Sequence, residues 1–369
     1  MPIRPRPEVE GLQACAHGGP VQAELEALGL KPEDIVDFSV SSNPFSYPPA
    51  VKMALGSVVI DRYPDSESTE LRRCLADELS VQPENIVVGS GSMEVIRLIT
   101  TAYLGRGNKA LILKPTFGEY EVACRIAGAD ISELWAAESD SYAFDTDKTV
   151  AAIKRGRPRV VFLCNPNNPT GSYLSQQQIE MMLEALGKGL LILDEAYIAF
   201  TEGEWPSTGI VRRDNLICLR SMTKDYALAG LRLGYAISSI EIIDNLCRVR
   251  PPWNVSDAAQ KAGVAALGDS GYLKRCETKI RRARQYLMAE LSTMDYNVLP
   301  SKTNFFLVKV GDGRRFRAAL LKRGLMLRDC ASFGLPQYVR IAARTMDECR
   351  RLIAVIKELM GRGELDVSG

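Results

Sequence analysis

A lysine with hydroxyl groups just before it and an arginine after it is the part of this sequence best suited to chemistry. Lys224 follows Ser221 and Thr223, and Arg232 stands eight residues later. A lysine amine condenses with an aldehyde only when it is neutral, which requires a desolvated or cation-rich site. Hydroxyls and a fork-shaped guanidinium suit a phosphate dianion. An aldehyde and a phosphate on one molecule describe pyridoxal phosphate (PLP), although an ordinary surface loop can carry the same spacing.

A carboxylate at the end of an apolar stretch is the second candidate group. Residues 189–193 are apolar throughout, as in a central parallel strand, and Asp194 and Tyr197 follow them. A carboxylate at the tip of such a strand is costly unless it meets a cation. The protonated ring nitrogen of a pyridine would be a suitable partner. A helix cap or a magnesium ligand is the alternative interpretation.

Two loops after predicted strands are candidates for ligand binding. Residues 165–171, Asn-Pro-Asn-Asn-Pro-Thr-Gly, follow the predicted strand 159–164 and include Asn168. Residues 89–92, Gly-Ser-Gly-Ser, precede a predicted helix at 93–103, whose free amides would form an anion site. Ser92 also suits a simple N-cap. Ligands of parallel α/β sheets bind where the strands end. The spacing G-x-G-x-x-G is missing, which argues against a dinucleotide site.

Two further residues stand in irregular segments. His17 is the only histidine of the chain, and two glycines follow it, so the backbone there can approach a ligand closely. A lone histidine is more often structural or simply exposed. Tyr63 is held extended by the proline after it, in what is either a site loop or a surface turn.

The pattern of strands and helices predicts an α/β protein with a second, smaller layer. From residue 69 to residue 267, short apolar runs alternate with helical segments, which favours a mostly parallel central sheet with helices on both faces. A long basic-faced helix, short strands and a final helix follow, which is typical of an α+β domain. We therefore expect an N-terminal arm at residues 1–45 that joins the small domain, a large domain at 46–268 and a small domain at 269–369.

Composition excludes several classes of function. The 369 residues are 46% hydrophobic and 25% charged with a formal net charge of +1, so nucleic acid and acidic membrane surfaces are unfavourable partners. The nine cysteines form no C-x-x-C pair, so neither a metal cluster nor a disulfide framework is predicted. The N-terminus lacks the apolar core of a signal peptide, and no apolar run has membrane-spanning length. We expect a cytoplasmic protein.

In chain order these pieces resemble the class I/II aminotransferases, the fold-type-I PLP enzymes, across essentially the whole chain. The resemblance is carried by N-P-N-N-P-T-G at 165–171, D-E-A-Y at 194–197, S-M-T-K at 221–224 with Arg232 eight residues later, and Tyr-Val-Arg ending at Arg340. Each motif is weak alone, and the four in this order are specific. The resemblance implies a PLP-dependent transferase fold.

The resemblance also implies roles for individual residues. Lys224 would hold the cofactor covalently and later transfer protons, and Asp194 would keep the pyridine nitrogen protonated. Asn168 and Tyr197 would bind the phenolic oxygen, and Phe117 would stack on the ring. The phosphate would be held by the hydroxyls of Ser221 and Thr223, Arg232, and the amides of Gly91, Ser92 and Met93. Tyr63 would reach the phosphate of a neighbouring subunit, so a homodimer with shared sites is expected.

Within the superfamily, the sequence resembles histidinol-phosphate aminotransferases and the L-threonine O-3-phosphate decarboxylases of cobalamin synthesis. Both imply a small phosphorylated substrate bound by arginines of the last domain, here Arg328 and Arg340, and His17 and Asn43 are further candidates for substrate contacts. Stretches such as Arg62-Tyr-Pro-Asp65 and Pro252-Trp-Asn-Val255 favour the decarboxylase, which we rank first, with the aminotransferase as the alternative. The family patterns H-G-G-N and N-I-N-P-L-G are altered here, at Pro20 and from Ser41 onward.

The alternative to an enzyme is a non-catalytic regulator that binds PLP. Such regulators usually carry a DNA-binding helical domain, and the short N-terminal arm has no room for one. The sequence therefore favours an enzyme.

Overall fold

The computed structural model describes residues 3–365 and consists of a large central sheet, a small sheet and the helices around them. The helices are α1 Gln22–Ala27, α2 Pro49–Leu55, α3 Thr69–Leu79, α4 Ser92–Tyr103, α5 Glu119–Ala127, α6 Thr146–Gly156, α7 Gln176–Leu186, α8 Met222–Asp225, α9 Ile240–Val249, α10 Asp257–Leu267, α11 Tyr272–Thr293, α12 Gly313–Leu321 and α13 Met346–Gly361. The strands are β1 Val36–Asp37, β2 Ile86–Ser90, β3 Lys109–Lys114, β4 Asp130–Trp135, β5 Val160–Cys164, β6 Leu190–Asp194, β7 Leu216–Ser221, β8 Leu233–Ile237, β9 Asn297–Val298, β10 Phe305–Lys309, β11 Leu325–Met326, β12 Arg328–Asp329 and β13 Tyr338–Ala342.

The central sheet has seven strands in the order β2-β8-β7-β6-β5-β3-β4. All neighbours are parallel except β8, which runs antiparallel to both β2 and β7. Successive residues of one strand belong to different apolar clusters: Val161 and Leu163 pack with α7, whereas Val160 and Phe162 pack with α4 and α5. Because side chains alternate along a strand, both faces of the sheet are covered, and the strands read as continuous apolar runs.

The small sheet is antiparallel, in the order β12-β13-β10-β9. The N-terminal strand β1 pairs in parallel with β11, so residues from the start of the chain join the C-terminal part. We keep the division into residues 1–45, 46–268 and 269–369 as a proposal, supported by the sheet that each segment joins. Residues 1–2 and 366–369 of these ranges lie outside the described part.

Several segments without a predicted strand or helix are regular in the structure, among them β4, α6 and β8. Strand β4 lies at the edge of the sheet and is largely exposed, so it lacks the apolar run that marks its neighbours. Helix α6 is mostly polar and so lacks a clear apolar face. Its one local signal is the N-cap Asp145, whose carboxylate accepts a hydrogen bond from the Lys148 N–H at 3.0 Å. Strand β8 is buried but follows the lysine segment directly, and only its pairing with β2 and β7 identifies it.

In the described residues, none of the helices has the length and apolar character needed to cross a membrane. All nine cysteines are free thiols. The cytoplasmic location stays a prediction.

Candidate active site

The candidate residues converge on a cavity of about 300 Å³ at the carboxyl ends of the parallel strands. Strands β5, β6 and β7 are in register, with Cys164 opposite Asp194 and Asp194 opposite Leu219, so the loops after them meet at one edge. The arm and the small sheet close the cavity from the other side. The lining includes Ser92, Met93, Phe117, Asn168, Asp194, Tyr197, Ser221, Thr223, Lys224, Arg232, Arg328, Arg340 and His17.

Lys224 lies in the short helix α8, directly after β7. Its enclosed position, with the nearby charges of Arg340 and Arg232, lowers the pKa of the ammonium to about 8. Both causes penalise the charged form. Near neutral pH the amine is therefore far more available as a nucleophile than that of an exposed lysine, as condensation with an aldehyde requires.

Asp194 ends β6 and is buried, with hydrogen bonds to both carboxylate oxygens. The Tyr120 hydroxyl donates to Oδ2 at 2.5 Å, and the Ala196 N–H donates to Oδ1 at 3.0 Å. Burial raises the pKa of Asp194, and these donors oppose that rise. A cation placed against the carboxylate would favour its ionised form, as a protonated pyridine nitrogen would do.

A set of donors suited to a phosphate lies beside the lysine. The hydroxyls of Ser221 and Thr223 are buried and lie 2.6 Å apart. Gly91 adopts a positive φ of 77° before α4, and a Cβ there would lie 3.0 Å from Arg232 Nη2. A Cβ on Gly234 of β8 would lie 2.4 Å from the Ser92 amide nitrogen, so glycine is needed for the strand to pass beneath the helix end. These groups form a concave anion site.

The remaining cofactor candidates line the cavity walls. Phe117 presents its ring there and meets Tyr120 edge to face, with ring centres 5.6 Å apart. Burial raises the pKa of Tyr197 to about 12, so its hydroxyl stays protonated and able to donate. Asn168 is buried, and its Oδ1 accepts a hydrogen bond from Arg340 Nη1.

The two arginines predicted to bind substrate face the same cavity. Arg328 of β12 and Arg340 of β13 are register partners across the antiparallel pair, and both are buried. Arg328 donates to the carbonyls of Ala16 and His17 at 2.8 and 2.9 Å, which holds the arm against the cavity. Burial and the Arg340 charge lower the pKa of Arg328.

Three predicted site residues, Gly91, Asn43 and Tyr63, do not line the cavity, although Gly91 directly precedes Ser92, which does. Asn43 is buried behind it: its Nδ2 donates to the Asp225 carbonyl at 2.8 Å, and its backbone N–H donates to the Lys224 carbonyl at 2.8 Å. Its amide groups therefore position the lysine segment, and its contact with substrate stays a prediction. Tyr63 is 78% exposed and stacks on Trp253 with ring centres 4.3 Å apart. Its role across a subunit boundary stays a prediction.

Tyr120, whose hydroxyl donates to the Asp194 carboxylate, was not among the predicted site residues. Tyr120 is the second residue of α5 and stands three positions after Phe117, which lies just before that helix, and this closeness in the chain to a predicted site residue was the available signal. Ser39, whose carbonyl accepts from Arg340 Nη2 at 2.5 Å, was not predicted either. No side-chain pattern marks a carbonyl as a ligand.

The family assignment comes from comparison with known proteins. The family model "Aminotransferase class I and II" matches residues 33–356. The chain belongs to the class I and II aminotransferases. It is 34% identical over 365 residues to histidinol-phosphate aminotransferase 1 of Thiobacillus denitrificans, covering 96% of this chain and 93% of that one. It is also 34% identical to chloroplastic histidinol-phosphate aminotransferase 1 of Arabidopsis thaliana, covering 96% of this chain and 85% of that one.

Solved structures of aminotransferases and one decarboxylase share this fold. A histidinol-phosphate aminotransferase from Sinorhizobium meliloti in complex with pyridoxal-5'-phosphate aligns with a TM-score of 0.85 and 27% identity, covering 96% of this chain and 98% of that one. The L-threonine-O-3-phosphate decarboxylase of Porphyromonas gingivalis aligns with a TM-score of 0.79 and 26% identity, covering 89% and 100%. The protein is thus a PLP-dependent aminotransferase-family enzyme of fold type I, as its motifs predict.

The geometry fits that cofactor. A lysine of lowered pKa, a buried carboxylate and an anion cradle that only glycine permits lie around one cavity. We assign the aldehyde end to Lys224, the ring nitrogen to Asp194 and the phosphate to Ser221, Thr223 and the start of α4 as proposals. These assignments rest on the donors that each end of the cofactor requires.

Proposed function

We propose that the protein transfers the amino group of histidinol phosphate, or of a closely related phosphorylated amine, to a 2-oxo acid. The observation that carries the proposal is the 34% identity over 365 residues to a histidinol-phosphate aminotransferase. The decarboxylation of L-threonine O-3-phosphate, which the sequence motifs put first, has the weaker support: 26% identity to one such structure. We therefore reverse the order of the two reactions.

The buried arginine pair supports a phosphorylated substrate. The hydrogen bonds of Arg328 and Arg340 in the described residues go to neutral groups: backbone carbonyls, the Ser332 hydroxyl and the Asn168 amide oxygen. The two guanidinium groups belong to register partners on neighbouring strands, so their positive charges repel each other. An anion bound between them would offset that repulsion. Arg340 Nε, buried without a hydrogen-bond partner in the part of the chain described, is one free donor for such an anion.

The chain's own residues supply binding, orientation and proton transfer. When bound, PLP supplies an aldehyde that captures the substrate amine and a ring that accepts the electron pair of a broken bond at Cα. Which bond at Cα breaks would depend on how the substrate is oriented against that ring, and holding the substrate in one orientation is the role that we propose for the two arginines. Histidinol phosphate has no carboxylate on that carbon. A hydrogen there would face Lys224, whose low pKa suits it to take and return a proton.

Two parallel incubations of the PLP-loaded protein test the proposal. One contains histidinol phosphate with a 2-oxo acid and follows amino-acid formation, and the other contains L-threonine O-3-phosphate without an oxo acid and follows CO2. We expect amino-group transfer in the first incubation and no CO2 release in the second. Lys224→Ala is the negative control, since loss of both nucleophile and base should reduce the rate by more than about 1000-fold.

The opposite pattern, CO2 release without amino-group transfer, would put decarboxylation of L-threonine O-3-phosphate back in first place. If neither incubation gives product, both proposed substrates are wrong. A Lys224→Ala variant as active as wild type would contradict the whole assignment of the site.

We also propose that two copies associate through an exposed apolar strip. Met53, Ile60 and Tyr63 are 74%, 92% and 78% exposed, and Trp253 is 46% exposed beside Tyr63. Contiguous exposed apolar side chains are a common feature of subunit interfaces. The strip is made of α2, the loop after it and the loop before α10, and it supports the predicted homodimer in which Tyr63 reaches the partner's phosphate site.

Sedimentation of wild type and of Ile60→Asp tests the dimer. We expect a dimer for wild type and a shift toward monomer for the variant, with Ile240→Asp, a 49% exposed isoleucine of α9, as the matched control. A monomeric wild-type protein at micromolar concentration would contradict this proposal.

A further inference from the structure

Three side chains at the mouth of the cavity offer the donors of a transition-metal site. Cys15 Sγ, His17 and a carboxylate oxygen of Glu119 lie within 4.8 Å of one another, with His17 Nε2 and Glu119 Oε1 3.0 Å apart. Sulfur, imidazole nitrogen and carboxylate oxygen are the ligands that zinc takes in proteins. We propose that these residues bind a Zn²⁺ ion, which holds the N-terminal arm closed over the cavity and inhibits the enzyme.

The ligand positions need only small adjustment. Tetrahedral zinc with ordinary bond lengths separates its ligand atoms by about 3.3–3.6 Å. The nitrogen and oxygen, 3.0 Å apart, are already closer than that, and the sulfur lies within 4.8 Å of both, so its distance to them has to shorten by at most about 1.5 Å. On coordination the thiol releases its proton, and the metal displaces the hydrogen bond between His17 and Glu119.

The surrounding contacts hold the Glu119 carboxylate and the backbone of the arm. Glu119 is the first residue of α5 and is 7% exposed, and its second oxygen accepts from Arg97 Nη2 at 3.1 Å. The arm is held by Arg328 through the Ala16 and His17 carbonyls. Gly118 leaves room for the sulfur: a Cβ at that position would lie 2.7 Å from Cys15 Sγ.

The ion would regulate the enzyme because two of its ligands line the cavity. Three protein ligands leave a fourth position open, as in zinc sites that accept water or a small ligand. With Cys15 and His17 both bound to α5, the arm could not open to admit substrate. His17 would also be withdrawn from any contact with substrate.

Metal retention by the PLP-loaded, chelator-treated protein is the direct test. The protein is dialysed against micromolar ZnCl₂, and bound zinc is measured by atomic absorption. We expect one tightly held equivalent per chain in wild type and at least about tenfold weaker binding in Cys15→Ser and in His17→Gln. Cys74→Ser, a partly buried thiol on α3, is the matched control and should bind as wild type does. MgCl₂ should not compete, since Mg²⁺ prefers oxygen ligands.

Inhibition is the second readout, with each variant compared with its own zinc-free rate. We expect Zn²⁺ to inhibit wild type and Cys74→Ser, and Cys15→Ser to be at least about tenfold less sensitive. Equal zinc retention by wild type and Cys15→Ser would overturn the site. Retention at the site without inhibition would overturn the regulatory role, and both results are independent of which substrate the enzyme uses.

Discussion

Removing the Tyr120 hydroxyl tests how Asp194 works. The hydroxyl donates to Asp194 Oδ2 at 2.5 Å, both groups are buried, and the only other donor to this carboxylate in the described residues is the Ala196 N–H. A hydrogen bond to a charged group contributes about 1.5–3 kcal/mol. In Tyr120→Phe the ionised carboxylate loses that stabilisation, so the pKa of Asp194 rises further above its ordinary value.

The expected result is a lower rate and a shifted pH profile. If Asp194 acts as a carboxylate on the cofactor's ring nitrogen, a loss of about 1.5–3 kcal/mol lowers turnover by about 10- to 100-fold. A raised pKa means that the carboxylate forms only at higher pH, so the acidic limb of the rate profile moves to higher pH. Amino-group transfer measured from pH 5 to pH 9 gives both quantities.

Tyr103→Phe is the control for loss of a hydroxyl. Tyr103 is at the far end of α4, and among residues 3–365 its hydroxyl has one hydrogen bond, from the Asn245 amide at 3.4 Å. We expect its profile to match wild type. A Tyr120→Phe enzyme with turnover within about twofold of wild type and an unmoved acidic limb would refute the proposed role of Asp194.

Three further changes test the framework of the site. Burial raises the pKa of Asp225 from 3.8 to about 7, so the native state binds more protons than the unfolded chain across that window, and stability falls as pH rises through it. Asp225→Asn should remove about 2.6 kcal/mol of the loss of unfolding free energy measured in urea between pH 5 and pH 8. Arg220→Met leaves the buried Glu195 without its ion pair, 3.1 Å in wild type, and should lower unfolding free energy by about 3–5 kcal/mol, partly recovered by adding Glu195→Gln. Gly234→Ala pushes a Cβ against the first amide of α4 and should weaken PLP binding in a fluorescence titration, whereas Gly230→Ala, with open space around it, should not.

The alternation of apolar runs and helices was enough to predict the α/β fold. A strand buried on both faces is mostly apolar, so β5, β6 and β7 can be predicted from their apolar runs. The polar groups that follow these strands must lie at the carboxyl edge of the sheet. Lys224 and Asp194 follow this rule, which is why both could be found without coordinates. Strand β4 could not, because an exposed edge strand has no such run.

Which residues face the cavity was decided by contacts between distant segments. Asn43 and Ser39 stand four residues apart, yet the amide of one supports the lysine segment while the carbonyl of the other accepts from Arg340. Glu119 and His17 are more than a hundred positions apart, and only the closure of the arm over α5 brings them to 3.0 Å. A local sequence pattern indicates secondary-structure propensity and burial. The composition of a shared site depends instead on which distant segments the fold brings together. The sequence by itself therefore determined the cofactor chemistry and the strand ends that carry it, and the tertiary structure decided the partners of each charge, since these come from segments that no local pattern connects.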